Sequence, residues 1–66
     1  MQIIVNGNSQ EIPVAWRLAE LLAQHNLKPE RVVVERNGEI VDRASYGEVI
    51  LEEHDALEIL RFVGGG

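Results

Sequence analysis

Two Asn-Gly dipeptides, Asn6-Gly7 and Asn37-Gly38, follow short runs rich in β-branched residues, and the chain's one helical stripe lies between them. Both residue types tolerate the positive φ that a two-residue hairpin turn demands, so each dipeptide marks where a strand must reverse. Gln2-Ile3-Ile4-Val5-Asn6 enters the first turn, and Gln10-Glu11-Ile12-Pro13-Val14 is its expected partner. Pro13 has no N–H for a ladder, which predicts that this second strand lies at a sheet edge. Val32-Val33-Val34-Glu35-Arg36 enters the second turn, with Ile40-Val41-Asp42 as its expected partner.

Between Ala15 and His25 the period changes. Leu18, Leu21 and Leu22 recur at helical spacing while Arg17, Glu20 and Gln24 face outward. Asn26 and Pro29 mark the end of this helix, whereas its start carries Trp16 where a Ser, Thr or Asp cap is expected. Ala44 to Glu53 is too apolar for a free loop and too broken for a strand, and is expected to cap one open end of the core. Leu57 to Val63 reads as the last strand, followed by Gly64-Gly65-Gly66.

The order strand, strand, helix, strand, strand, strand predicts an α+β fold: one mixed sheet of about five strands with a single helix packed across one face, the β-grasp (ubiquitin-like) arrangement. Period-2 alternation turns Ile3, Val5, Leu57 and Ile59 toward the helix, where burial of each contributes about 1.5 to 3 kcal/mol. Ile3→Asp is expected to unfold the chain. Residues 1–63 form the domain and 64–66 a flexible glycine tail. With 66 residues and no cysteine, stability rests on burial without disulfides. A chain of this length hides only about 60% of its unfolded surface, which leaves little room for an enclosed active site and argues against an enzyme.

Eleven Asp and Glu against six Lys and Arg give a formal net charge of -5. Nucleic acid is a poor match, because phosphate binding needs clustered cations and these six are scattered along the sequence. A basic protein surface is a better one. No apolar stretch is long enough to span a bilayer, and no signal sequence is legible, so the expected location is cytoplasmic.

The three terminal glycines are the feature that carries chemistry. A frayed end is the plain explanation. The sharper one is that glycine, lacking Cβ, lets an extended arm of roughly 10 Å enter a narrow active-site tunnel. A carboxylate at its tip is open to adenylation by ATP, and a sulfur nucleophile can then displace AMP. Met1-Gln2-Ile3 with Asn6-Gly7, the Leu18 to Leu22 helix, Glu35-Arg36-Asn37-Gly38-Glu39-Ile40-Val41, Asp55 before a strand, and Val63-Gly64-Gly65-Gly66 together resemble the ThiS family, the sulfur carriers of thiamin biosynthesis.

The resemblance implies that Gly66 is adenylated and converted to a thiocarboxylate, with Gly65 completing the double-glycine motif. It implies a protein cosubstrate that binds no cofactor of its own. The implied partners are a ThiF-like adenylyltransferase using ATP and Mg²⁺, a cysteine desulfurase or other sulfur donor, and a ThiG-like thiazole synthase as acceptor. Two positions depart from the family pattern: His54 precedes Asp55 where glycine is usual, and Trp16 stands where Ser or Thr is common. Alternatives are a molybdopterin-synthase-type small subunit, a ubiquitin-like modifier joined to lysines through Gly66, and a β-grasp binding module with an idle tail.

Two further groups are candidates for partner docking. Glu48, Glu52, Glu53, Asp55 and Glu58 form an acidic run near the tail in sequence; it reads either as a solvated face or as a steering patch for a basic rim. Leu60 and Phe62 should point away from the helix and form an exposed apolar patch, unless the strand twists and Phe62 covers the core edge. His54 with Glu52, Glu53 and Asp55 lacks the usual ligand combination for a metal, and none is expected. Trp16 and Tyr46 read as core-edge aromatics, and neither Ser9 nor Ser45 has a nearby His in sequence.

Overall fold

The computed structural model describes residues 1–62. Expectations for Val63 and for Gly64, Gly65 and Gly66 lie outside the described residues. In chain order the elements are β1 (Gln2–Val5), β2 (Asn8–Glu11), α1 (Leu18–Gln24), β3 (Val32–Arg36), β4 (Glu39–Ile40) and β5 (Ala56–Arg61). They form a five-stranded sheet in the order β2-β1-β5-β3-β4. β1 and β5 run parallel at the centre, and the other pairings are antiparallel. With α1 across one face, this is the expected β-grasp arrangement.

Both Asn-Gly turns form with left-handed backbones, φ being 49° and 84° at Asn6-Gly7 and 53° and 87° at Asn37-Gly38. Such turns return the chain at once, so β2 starts at Asn8 opposite Val5 and β4 at Glu39 opposite Arg36. Both return strands therefore begin earlier than the apolar runs Gln10 to Val14 and Ile40 to Asp42 suggest. β2 is an edge strand, but Pro13 lies beyond it. Ile12 instead drops into the core, and its N–H donates to the Met1 carbonyl at 2.8 Å.

The helix begins at Leu18, later than its apolar stripe implies, with Arg17 as N-cap. Its exposed donors are met by tertiary contacts. The N–H groups of Leu18 and Ala19 donate to the carbonyls of Val49 and Tyr46 at 2.9 and 3.0 Å, and the Glu20 carboxylate accepts from the Arg17 N–H at 2.9 Å. The irregular segment after β4 thus supplies the cap that the sequence around Trp16 lacks. At the other end Asn26 takes φ 58°, and the Leu27 N–H returns to the Leu22 carbonyl at 2.8 Å. This satisfies a helix-end carbonyl and turns the chain toward Pro29.

Ile3, Val5, Leu57 and Ile59 face α1 and are buried together with Leu18, Leu21, Leu22, Val32 and Val34. Tyr46 and Leu51 are buried as well, which places the 44–53 segment as a lid on the core; Tyr46 is a core residue rather than an edge one, while Trp16 packs half-buried against the cluster. No described helix is long and apolar enough to cross a membrane.

Candidate functional site

The end of β5, from which the glycine tail departs, is clamped on both sides. On one side, Asn6 accepts the Ile59 N–H through Oδ1 at 2.7 Å and donates Nδ2 to the Ile59 carbonyl at 3.3 Å. On the other, the Phe62 N–H donates to the Arg31 carbonyl at 2.9 Å, carrying the β3–β5 ladder one residue past Val32 opposite Arg61. The last residues of β5 and Phe62 are thus fixed by the Asn6 side chain of the first turn and by the backbone of the residue before β3.

On the sheet face away from the helix, Leu60 is 61% exposed, and it sits opposite Val33. Phe62 is half exposed, so it does not close the core edge. Ile4 and Ile40 are exposed on the same sheet face. Glu58, also exposed, faces Glu35 directly across the ladder. Like charges opposite one another are unfavourable in an isolated sheet, so this pair is poised to gain from a cationic partner.

The acidic run does not stay together. Glu52, Glu53 and Asp55 precede β5, and β5 is extended, so they lie at its start, roughly 20 Å from the Arg61 end at about 3.3 Å per residue. Their neighbours there are at the start of β1: the Gln2 N–H donates to the Glu53 carboxylate at 3.0 Å, and the His54 N–H to the Gln2 carbonyl at 2.7 Å. Proximity to the tail in sequence is therefore not proximity in space.

Asp55 also leaves the docking surface altogether, being 5% exposed. Its Oδ2 lies 2.9 Å from both Nε and Nη2 of Arg36 and accepts the Glu52 N–H at 2.8 Å, while Oδ1 accepts the Asn37 side-chain amide at 3.0 Å. Burial pushes the carboxyl's pKa up, but the Glu52 N–H, the Asn37 amide and the Arg36 guanidinium outweigh it and hold the group below its usual value. Asp55 ties the β3–β4 turn to the start of β5, a structural role. The residue before it, His54, takes φ 69°, which is the conformation glycine would supply.

A feature that linear sequence concealed lies on the helix side of the tail base. Two open depressions of ≈ 300 and ≈ 240 Å³ share Leu27 and Arg61. Lys28, Arg31 and Arg61 line this joint groove, with His25 at its far end, and no Asp or Glu does. Half of the six cations scattered along the sequence are gathered here. No local signal marks it: antiparallel pairing of β3 with β5 brings Arg31 beside Arg61.

The ThiS family model matches residues 3–66 of this chain. The chain belongs to the ThiS family. Among ThiS-related proteins, it is 47% identical over 58 residues to the sulfur carrier protein ThiS of Bacillus subtilis, a match covering 80% of this chain and 88% of that one. A crystal structure of the thiamine biosynthesis protein ThiS from Geobacter metallireducens superposes with a TM-score of 0.84 at 33% identity over 100% of both chains. The chain is also 41% identical over all 66 residues to a thiazole synthase of Magnetococcus marinus, but spans only 20% of that protein's length. A ThiS-type domain is therefore found both as a whole small protein and as one part of a longer one.

Proposed function

We propose that the chain is a sulfur carrier for thiamin thiazole formation, acting as a protein cosubstrate through the carboxylate of Gly66. A ThiF-like adenylyltransferase, using Mg-ATP, joins AMP to that carboxylate with release of pyrophosphate. Sulfide then displaces AMP to leave a thiocarboxylate directly, whereas a persulfide from a cysteine desulfurase displaces AMP to leave an acyl disulfide. A second thiol cleaves that acyl disulfide to the thiocarboxylate while it is itself oxidised to a disulfide. A ThiG-like thiazole synthase accepts the sulfur. The location this reading expects is the cytoplasm, where ATP is available to the adenylyltransferase.

The observation that carries the reading is that similarity to a named sulfur carrier extends over nearly the whole of that protein and that the family match runs through residue 66, the glycines included. The thiazole synthase relative supports the choice of acceptor, since a carrier domain within the synthase chain supplies its partner at high effective concentration. The end of β5, which leads to the glycines, is hydrogen-bonded to Asn6 and Arg31, where an enzyme acting on Gly66 would have to grip it. Leu60 offers such an enzyme an apolar contact on the outer sheet face, and half-exposed Phe62 lies beside it at the end of β5. Incubation with adenylyltransferase, Mg-ATP and a sulfide source tests the reading, the product being a chain whose mass rises by the difference between sulfur and oxygen.

A further inference from the structure

We propose that the cationic groove beneath the base of the tail receives an acidic segment of the enzyme that adenylates Gly66. This rests on the carrier reading and specifies how the adenylating enzyme holds the carrier. In a chain of net charge -5, Lys28, Arg31 and Arg61 line adjoining depressions to which no Asp or Glu side chain contributes. Among the described residues, none of these three side chains makes an ion pair or a hydrogen bond. The other arginines in contact with structure are occupied: Arg36 is held by Asp55, and Arg43 donates to the carbonyls of Pro29 and Val32 at 3.0 and 3.4 Å. Glu30, between Lys28 and Arg31 in sequence, is exposed and lines neither depression.

The shape favours a polypeptide over a small anion. The two depressions run side by side from His25 past Leu27 to Phe62, a trough rather than a cup, and the three cations are exposed instead of converging through hydrogen bonds on one point. Small-ligand pockets are usually larger and enclose their ligand. Position supplies the occupant. Arg61 is the last residue of β5 and Phe62 follows it, so an enzyme that grips the end of β5 to reach Gly66 meets this trough on the helix side and Leu60 on the outer sheet face. An apolar contact on one side and a cationic one on the other would also fix the roll of the tail, and so which face of the terminal carboxylate meets ATP. Exposed charges of this kind act chiefly on the rate of encounter and are screened by salt.

The test is ATP–pyrophosphate exchange by the adenylyltransferase with the full chain as the varied substrate. Lys28→Gln, Arg31→Gln and Arg61→Gln combined is compared with Arg17→Gln, which removes a cation far from the trough; matching amide spectra establish that the exposed substitutions leave the fold intact. At low ionic strength the triple variant is expected to raise KM for the carrier about ten-fold with kcat unchanged, the difference shrinking several-fold at high salt. Arg17→Gln should show little change. Unchanged KM in the triple variant would overturn the proposal while leaving the carrier reading intact. So would a higher KM for ATP or a lower kcat, either of which would make the trough a phosphate-binding element. No exchange with the unaltered chain would remove the carrier reading and this proposal together.

Discussion

Asn6 holds Ile59 by both ends of its carboxamide, accepting the backbone N–H at 2.7 Å and donating to the carbonyl at 3.3 Å. Asn37 holds Ala56 at both ends too, its Oδ1 accepting the N–H at 2.9 Å and its own backbone N–H donating to the carbonyl at 2.8 Å, while its side-chain amide serves Asp55. The first residue of each turn therefore also fixes one end of β5, the strand that carries the tail.

Asn6→Gly separates these two duties, because glycine keeps the left-handed backbone and loses the carboxamide. Leaving the Ile59 backbone without its partner is expected to cost about 1 to 2 kcal/mol. Urea denaturation measures the loss, and amide exchange should quicken at Ile59 and beyond. A variant as stable as the parent would show that the contact holds nothing in place.

Asp55 sets a dependence on pH. Its folded pKa is below the unfolded one, so its contribution is present above the unfolded value of about 3.9 and fades as pH falls through that value toward the folded pKa. Glu11, whose pKa the N-terminal amine lowers, acts in the same direction. Because Arg36 keeps some contact with solvent, screening moderates the loss, and Asp55→Asn is expected to cost about 1 to 3 kcal/mol near neutrality. The cost should shrink on acidification. Thermal denaturation of both chains between mild and strong acid would reveal it, and parallel pH profiles would contradict the assignment.

His54 stands at φ 69° without glycine's freedom, a conformation that costs an ordinary residue about 1 to 2 kcal/mol. Glycine there relieves that strain but gives back part of the gain in backbone entropy. His54→Gly is therefore expected to stabilise the chain by up to about 1 kcal/mol, seen as a higher Tm. A lower Tm would mean that the His54 side chain, 3.6 Å from Glu53, contributes more than its backbone loses.

Leu60→Asp tests the outer sheet face. The side chain is exposed, so stability should change by no more than about 0.5 kcal/mol. Affinity for the adenylyltransferase or the thiazole synthase is expected to fall about ten-fold. Undiminished binding to both enzymes would show that this face is not used.

Much of this was legible in the residues because local chemistry determined it. The Asn-Gly pairs located both reversals, and the alternation in β1 and β5 separated buried Ile3, Val5, Leu57 and Ile59 from exposed Leu60. What was illegible depended on distant parts of the chain. The helix start could not be read at Trp16 because its cap comes from the carbonyls of Tyr46 and Val49. Asp55 looked like one acid in a solvated run, since nothing nearby in sequence reveals Arg36 and Asn37 around it. An extended strand carried Glu52 and Glu53 away from the tail, while strand pairing brought Arg31 to Arg61.

Gly66 itself lies outside the described residues, so the central claim is tested most directly by intact mass. The chain is incubated with an adenylyltransferase proven active, Mg-ATP and a sulfide source, beside a chain lacking Gly66. The account predicts a gain equal to the mass of sulfur less that of oxygen in the first chain and no change in the second. An unmodified first chain, or an equal gain in both, would contradict it.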